Sequence, residues 1–300
     1  MLEYVQNAYR TVLRREPDSE ALAWAVGQLE SGVLSRTGLV AELVGSEEFE
    51  RLRAIDYALA QAAQSRAQGI RPRELRAPSW SDERLIEMPW VLARYRGEPH
   101  VVDIGYANAA PSYLEALVAA ATGRVVGLDL VEASVPGVRS VVGDLRALPF
   151  PDSTFDVVLC VSTIEHVGHD NRVYGAGDER DAAGIAEALR EVRRVLAPGG
   201  RALITVPTGA EEDHVWFVQL PVATWRELFA AAGLRITEEE LYELGADGWR
   251  ASAGDAAAAH YGERGAAASA VYCVELMAFE EPGVVPAPAA ADGEDDGHGQ

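Results

Sequence analysis

From residue 100 onward the chain is punctuated by short apolar runs of strand length, and these limit its architecture more than any other feature. "HVVDIGY", "RVVGLDL", "GVRSVVG", "TFDVVLCVS" and "RALITVPT" are nearly continuous in apolar residues, as strands buried on both faces are. Between them stand segments of helical character. "APSYLEALVAAAT" has Pro111 suited to a first helical turn, and "ERDAAGIAEALREVRRVLAPGG" is closed by Pro198 and two glycines. "TWRELFAAAGL" follows, then two more strand-like runs, "RITEEELYEL" and "SAVYCVELMAF". Strands alternating with helices imply an α/β fold, a mostly parallel, doubly wound sheet covered by helices. Seven strands are expected.

The first 65 residues follow another period. Val5, Ala8, Tyr9, Val12 and Leu13, then Leu22, Trp24, Ala25 and Leu29, then Leu39, Val40, Leu43 and Val44 recur at helical spacing. Three short helices are expected, broken at "EPDSE" and "SGVLSR", with Asp18 and Ser35 as caps. A fourth helix should run from about Glu48 to Gln64. The chain therefore divides into a small helical domain over 1–65, a linker over 66–83 rich in Arg and Pro, and the α/β domain over 84–280. Residues 281–300 combine Pro, Ala, Gly and acid, the composition of a disordered acidic tail.

Composition narrows the partners. The 26 basic residues, all arginine, face 47 acidic ones for a formal net charge of -21. Such a surface repels phosphate backbones and anionic lipid, which argues against nucleic acid as a partner. Cys160 and Cys273 stand far apart in apolar runs, so they read as core residues rather than a disulfide or a metal pair. The amino terminus lacks a basic region followed by an apolar run, and no apolar stretch approaches about 18 residues. A cytoplasmic protein without a membrane span is expected.

The most informative turn is "VVDIGYANAA", Val101 to Ala110. It reads as a strand entering a helix through a nucleotide-site turn, yet Gly105 is its one glycine. A dinucleotide turn uses several glycines so that backbone can approach a pyrophosphate. Here Ala107 and Ala109 occupy the later positions, Pro111 removes a helix-terminal donor, and Asp103 adds a carboxylate. A cationic ligand suits this turn better than a diphosphate. S-adenosylmethionine, with a sulfonium, an ammonium and no phosphate, fits the chemistry.

Residues from about Arg84 to Phe279 resemble a class I S-adenosylmethionine-dependent methyltransferase, with four motifs in the family's order: "VVDIGYANA", "VVGLDL", "VVGDLRALPFPDSTFDVVLC" and "LREVRRVLAPGGRALITVP". The resemblance implies a Rossmann-like sheet and assigns cofactor contacts to Asp103, Gly105, Tyr106, Ala107, Asp129, Leu130, Asp144, Leu145 and Ser162. Asp129 would accept from both ribose hydroxyls, and Asp144 from the adenine amine. Tyr106 would cover the space that the missing glycines leave.

"VSTIEHVGHDNRVYG" follows the fourth strand at the edge where an acceptor would meet the methyl group. His166 is the candidate general base, since an imidazole can accept a proton near neutral pH. Glu165, His169, His214 and Trp216 are candidates for the acceptor pocket, and Trp90 for a lid. Glu165, His166, His169 and Asp170 also permit a metal reading, but Ser162 stands where related ubiquinone-pathway enzymes carry a first glutamate. No metal is expected. The acceptor is a small molecule or glycan, with O-methylation in saccharide biosynthesis the leading expectation. A binding module that has lost turnover and a nicotinamide-dependent oxidoreductase are the alternatives.

Residues 4–50 resemble domain of unknown function 4214, which is similar to phycobilisome linker modules. The match rests on "AYRTVLRREPDSEALAWAVGQLESG" and "SEEF". No catalytic constellation occurs in it, and docking to a partner or to a second copy is the role it implies.

Overall fold

The computed structural model describes residues 1–279 apart from 179, 264 and 266. The acidic tail expected over 281–300 lies outside the described residues. The amino-terminal helices are α1 (Leu2–Leu13), α2 (Ser19–Glu30), α3 (Arg36–Val44) and α4 (Glu47–Ala67). Asp18 caps α2 by accepting from the Ala21 amide at 2.8 Å, and Ser35 caps α3 by accepting from Gly38 at 3.0 Å. Val5, Leu13, Ala25, Leu29, Leu39 and Leu43 form the core of this unit.

Helix α4 runs beyond the expected end and serves two cores. Phe49 and Leu52 pack on the amino-terminal cluster, whereas Ile55, Leu59 and Ala62 belong to the core under the sheet. Residues 68–83 then follow the sheet edge, where Ala77 bridges to Trp249 and Arg71 donates to Glu238 at 2.9 Å.

The remainder comprises α5 (Arg84–Arg94), β1 (Val101–Ile104), α6 (Pro111–Ala120), β2 (Val125–Asp129), β3 (Val138–Val142), β4 (Phe155–Val161), α7 (Gly184–Val195) and β5 (Leu196–Pro207). Then come the small hairpin β6 (Glu212–Asp213) and β7 (Val218–Gln219), α8 (Val222–Ala231), β8 (Leu234–Gly245), β9 (Gly248–Ser252) and β10 (Ala270–Ala278). Pro111 is the first residue of α6, where its missing N–H removes no helical bond.

The main sheet has the order β3-β2-β1-β4-β5-β10-β8-β9. Strands β1 to β5 pair in parallel, while β10 runs antiparallel to both β5 and β8. Eight strands are present rather than the seven expected. The extra one, β9, doubles back on β8 through a tight turn with Gly245 opposite Gly248. Helices α7 and α8 cover one face around Leu189, Val192, Trp225 and Phe229, and α4, α5 and α6 cover the other around Leu59, Trp90, Leu92 and Leu117. Trp90, expected as part of a lid, is fully buried in that second core.

Strands β2 and β4 flank β1 on opposite sides, so the chain reverses its winding there. A crevice therefore opens beyond the carboxyl ends of these strands, where open α/β sheets bind ligands. Cys160 and Cys273 are free and buried. No helix among the described residues is long and apolar enough to cross a membrane.

Candidate cofactor and acceptor site

A cavity of about 390 Å³ occupies that crevice. Its wall includes Asp103, Gly105, Asp129, Leu130, Asp144, Leu145, Ser162, His166 and His169, contributed by the ends of β1, β2, β3 and β4. Helix α5 closes the cavity with Arg84, Glu87 and Met88, and Tyr174 approaches from the loop after β4.

Gly105 has φ of 80°, and a Cβ there would lie 2.2 Å from the Thr163 hydroxyl oxygen. Both facts demand glycine, because the left-handed conformation and the close approach exclude a side chain. The turn is thus pinned to the loop after β4. Asp103, 2% exposed, projects from β1 into the cavity wall. Its Oδ2 has no hydrogen-bond partner among the described residues. Burial, reinforced by Asp129, pushes its carboxyl up to about 8.

At the end of β2, Asp129 accepts from the Ala107 amide at 3.0 Å. That bond orients the carboxylate toward the cavity and commits the Ala107 N–H. Tyr106 does not cover the space expected of it. Its ring packs where Gly127 leaves room, and on the far side of β2 its hydroxyl donates to the Ala133 carbonyl and so accepts from the Ser140 hydroxyl. Asp144 takes the Arg146 amide at 2.8 Å and the Arg146 guanidinium at 2.6 Å. Those bonds hold its carboxyl below the usual range, so it remains an acceptor at neutral pH.

His166 lies in a layer of rings. Its Nδ1 is 2.8 Å from the Trp216 carbonyl oxygen, which can only accept, so Nδ1 carries the proton and Nε2 the lone pair. Burial lowers this imidazole to about 4. Trp216 stands behind His166, with ring centroids 5.1 Å apart, and does not reach the cavity wall. His214 is likewise outside it, stacked on Phe217 at 4.6 Å and bonded to Glu212 at 3.0 Å. The two were expected in the acceptor pocket because they follow β5, but the β6–β7 hairpin turns them into the second layer.

Glu165, 1% exposed, accepts from the Ser162 hydroxyl at 2.8 Å and leaves Oε2 without a partner among the described residues. Burial raises its carboxyl to about 8. Asp170 pairs with Arg172, and no three metal-ligating side chains converge among the described residues. Arg84, Glu87, Met88 and Tyr174 were not singled out from the sequence. The available signal was Glu87, one acid inside the apolar stretch "LIEMPWVL".

Residues 102–204 match the family model described as "Methyltransferase domain", and residues 2–53 match "Domain of unknown function (DUF4214)". Over 112 residues the chain is 33% identical to a Mycolicibacterium smegmatis protein named as a probable S-adenosylmethionine-dependent methyltransferase, covering 35% of this chain and 38% of that one. It is 30% identical over 120 residues to the demethylmenaquinone methyltransferase of Symbiobacterium thermophilum, covering 36% and 42%. The aligned stretch thus spans less than half the length of either relative. Among solved structures, the Burkholderia thailandensis 1,6-didemethyltoxoflavin-N1-methyltransferase superposes with a TM-score of 0.43 at 15% identity, over 92% of this chain and 91% of that one. The chain thus carries a methyltransferase domain over residues 102–204, and the helices ahead of it match domain of unknown function 4214.

Proposed function

We propose that the protein transfers the methyl group of S-adenosylmethionine to a hydroxyl of a small molecule or saccharide. The observation that carries this reading is the buried, unpartnered Asp103 oxygen at the cavity wall. An orphaned buried carboxyl is costly until a cation answers it, and the ammonium of the cofactor is such a cation. A diphosphate would instead meet like charge.

The other residues fit the same ligand. Asp129 is oriented to accept from ribose hydroxyls, Asp144 stays ionised for the adenine amine, and Leu130 and Leu145 provide apolar walls. Gly105 and Ser162 border the methionine portion. Arg84 on α5 supplies a guanidinium to the cofactor carboxylate. Tyr106 and the committed Ala107 amide act by shaping the turn.

Bound there, the cofactor supplies a methyl group already activated on sulfonium. The chain's task is alignment, exclusion of water and custody of one proton. The acceptor oxygen would bond to the methyl carbon as its bond to sulfur breaks, and His166 Nε2 would take the hydroxyl proton. An imidazole held at about 4 is a weak base. That is sufficient, since the hydroxyl becomes strongly acidic as its oxygen gains the methyl group. His169 borders the acceptor end of the cavity and Glu165 lies beneath it. The amino-terminal helices would serve docking to a partner or to a second copy.

Calorimetric titration with S-adenosylmethionine tests the cofactor assignment. Tight binding by the wild type and loss of affinity in Asp129→Ala are expected; unchanged affinity would discard it.

A further inference from the structure

The cofactor and the proton leave one group at this cavity unexplained. Glu87 on α5 is 0% exposed and lines the cavity, yet neither carboxyl oxygen has a hydrogen-bond partner among the described residues. Its neighbours in the helix are Leu85, Ile86, Met88, Trp90, Val91 and Leu92, all buried. A buried carboxyl left unmatched is destabilising, because it gives up its hydration without gaining a partner. A ligand that answers it would offset that cost. Asp103 is the acid at β1 and Asp129 the acid at β2, so the cofactor's ammonium and ribose do not account for Glu87.

The surroundings favour positive charge. Glu165 keeps a second buried, unpartnered oxygen beside the same loop, and Glu83 stands one helical turn before Glu87. Tyr174 lines this end of the cavity, edge-on to His166 with ring centroids 5.2 Å apart, and tyrosine faces attract cations. The formal charge of -21 draws cationic solutes toward the protein.

We propose that the methyl acceptor carries a protonated amine in addition to its hydroxyl, and that Glu87, backed by Glu165, holds that ammonium group. This rests on the methyl-transfer reading and names its substrate class: amino alcohols, including amino sugars. Burial above all, then Glu83 and Glu165, raises the Glu87 carboxyl well above the ordinary range, against the Thr205 hydroxyl and Arg84. Buried Cys273 lies nearby and is uncharged. Burial therefore favours the protonated form of the unliganded carboxyl. Ammonium binding stabilises the ionised form, so it expels a proton and strengthens as pH rises, until the amine itself loses its charge.

The full chain, saturated with S-adenosylhomocysteine, is titrated with matched pairs: phenethylamine against 2-phenylethanol, and 4-aminobutan-1-ol against butane-1,4-diol. Each amine is expected to bind about tenfold or more tightly than its alcohol twin, the difference between a charge-assisted and a neutral hydrogen bond. Its binding enthalpy should vary with buffer ionisation enthalpy, which reports the released proton. Glu87→Gln should remove the preference and the proton release while leaving S-adenosylhomocysteine affinity unchanged. Equal binding within the wild-type pairs, no binding by either amine, or a preference intact in Glu87→Gln would overturn the proposal. Failure of S-adenosylhomocysteine to bind would overturn the methyl-transfer reading instead.

Discussion

Two sets of buried ionisable groups in the α/β domain behave oppositely. On the flank, Arg94 donates to Glu238 and Glu240 at 2.7 Å each and stacks over Trp90 at 4.0 Å. Beside it, Arg201 donates to Glu275 and Glu98 at 2.8 Å each and to the Arg94 carbonyl at 2.7 Å. At the cavity wall, Asp103 and Glu87 are as deeply buried, as is Glu165 in the loop that carries His166, but all three keep carboxyl oxygens with no partner among the described residues. Charges that hold the fold bring their counterions with them in the chain. On the proposed reading, those at the cavity take their counterion from solution.

The largest effect should come from breaking the paired set. Arg201→Met removes the buried cation that joins Glu98 to Glu275 and leaves Glu275 only the more exposed Arg96 and Arg71, and breaking a buried pair costs up to about 3–5 kcal/mol. Urea unfolding should show that loss; a change below about 1 kcal/mol would erase the distinction drawn between the two sets. Next comes Asp129→Ala, which on the proposed reading removes two charge-assisted bonds to the ribose and should weaken S-adenosylmethionine binding about 100-fold, the Ala107 amide losing its acceptor as well.

Asp103 sharpens the contrast through pH. Its carboxyl is raised to about 8 in the folded protein, so between about 4 and 8 the folded state holds a proton that the unfolded state has lost. Stability of the unliganded protein should therefore fall as pH rises through that window and level off above it. Asp103→Asn should make this slope shallower, leaving the share of Glu165, which is raised to about 8 as well, and should stabilise the unliganded protein at pH 9 by about 1–3 kcal/mol while weakening the cofactor. A wild-type profile that rises toward pH 8 would contradict the assignment. The smallest effect belongs to the amino-terminal helices, where Arg14 and Asp56 form an exposed pair at 2.7 and 2.9 Å. Arg14→Ala should cost under about 1 kcal/mol.

The parallel core was legible because β1, β2, β4 and β5 are apolar on both faces, so period alone marked them. Strand β9 was not, since "GWRAS" is short and its pairing follows from the turn after β8 rather than from its own pattern. Site residues at strand ends were placed at the cavity wall by their position in the fold: Asp103, Asp129, Asp144, Ser162 and His166. Tyr106, His214 and Trp216 were not, because local sequence does not say on which side of a turn a ring will settle. Arg84 and Glu87 escaped notice for the converse reason. They come from a helix before β1, and only tertiary packing brings them over the carboxyl ends of the strands.

Helix α4 spans 21 residues, a rod of about 30 Å. One end is embedded among the amino-terminal helices, and the other lies against α5, which carries Glu87. The two cores therefore share one continuous backbone element, and the helix that completes the amino-terminal unit also buttresses the roof over the cavity.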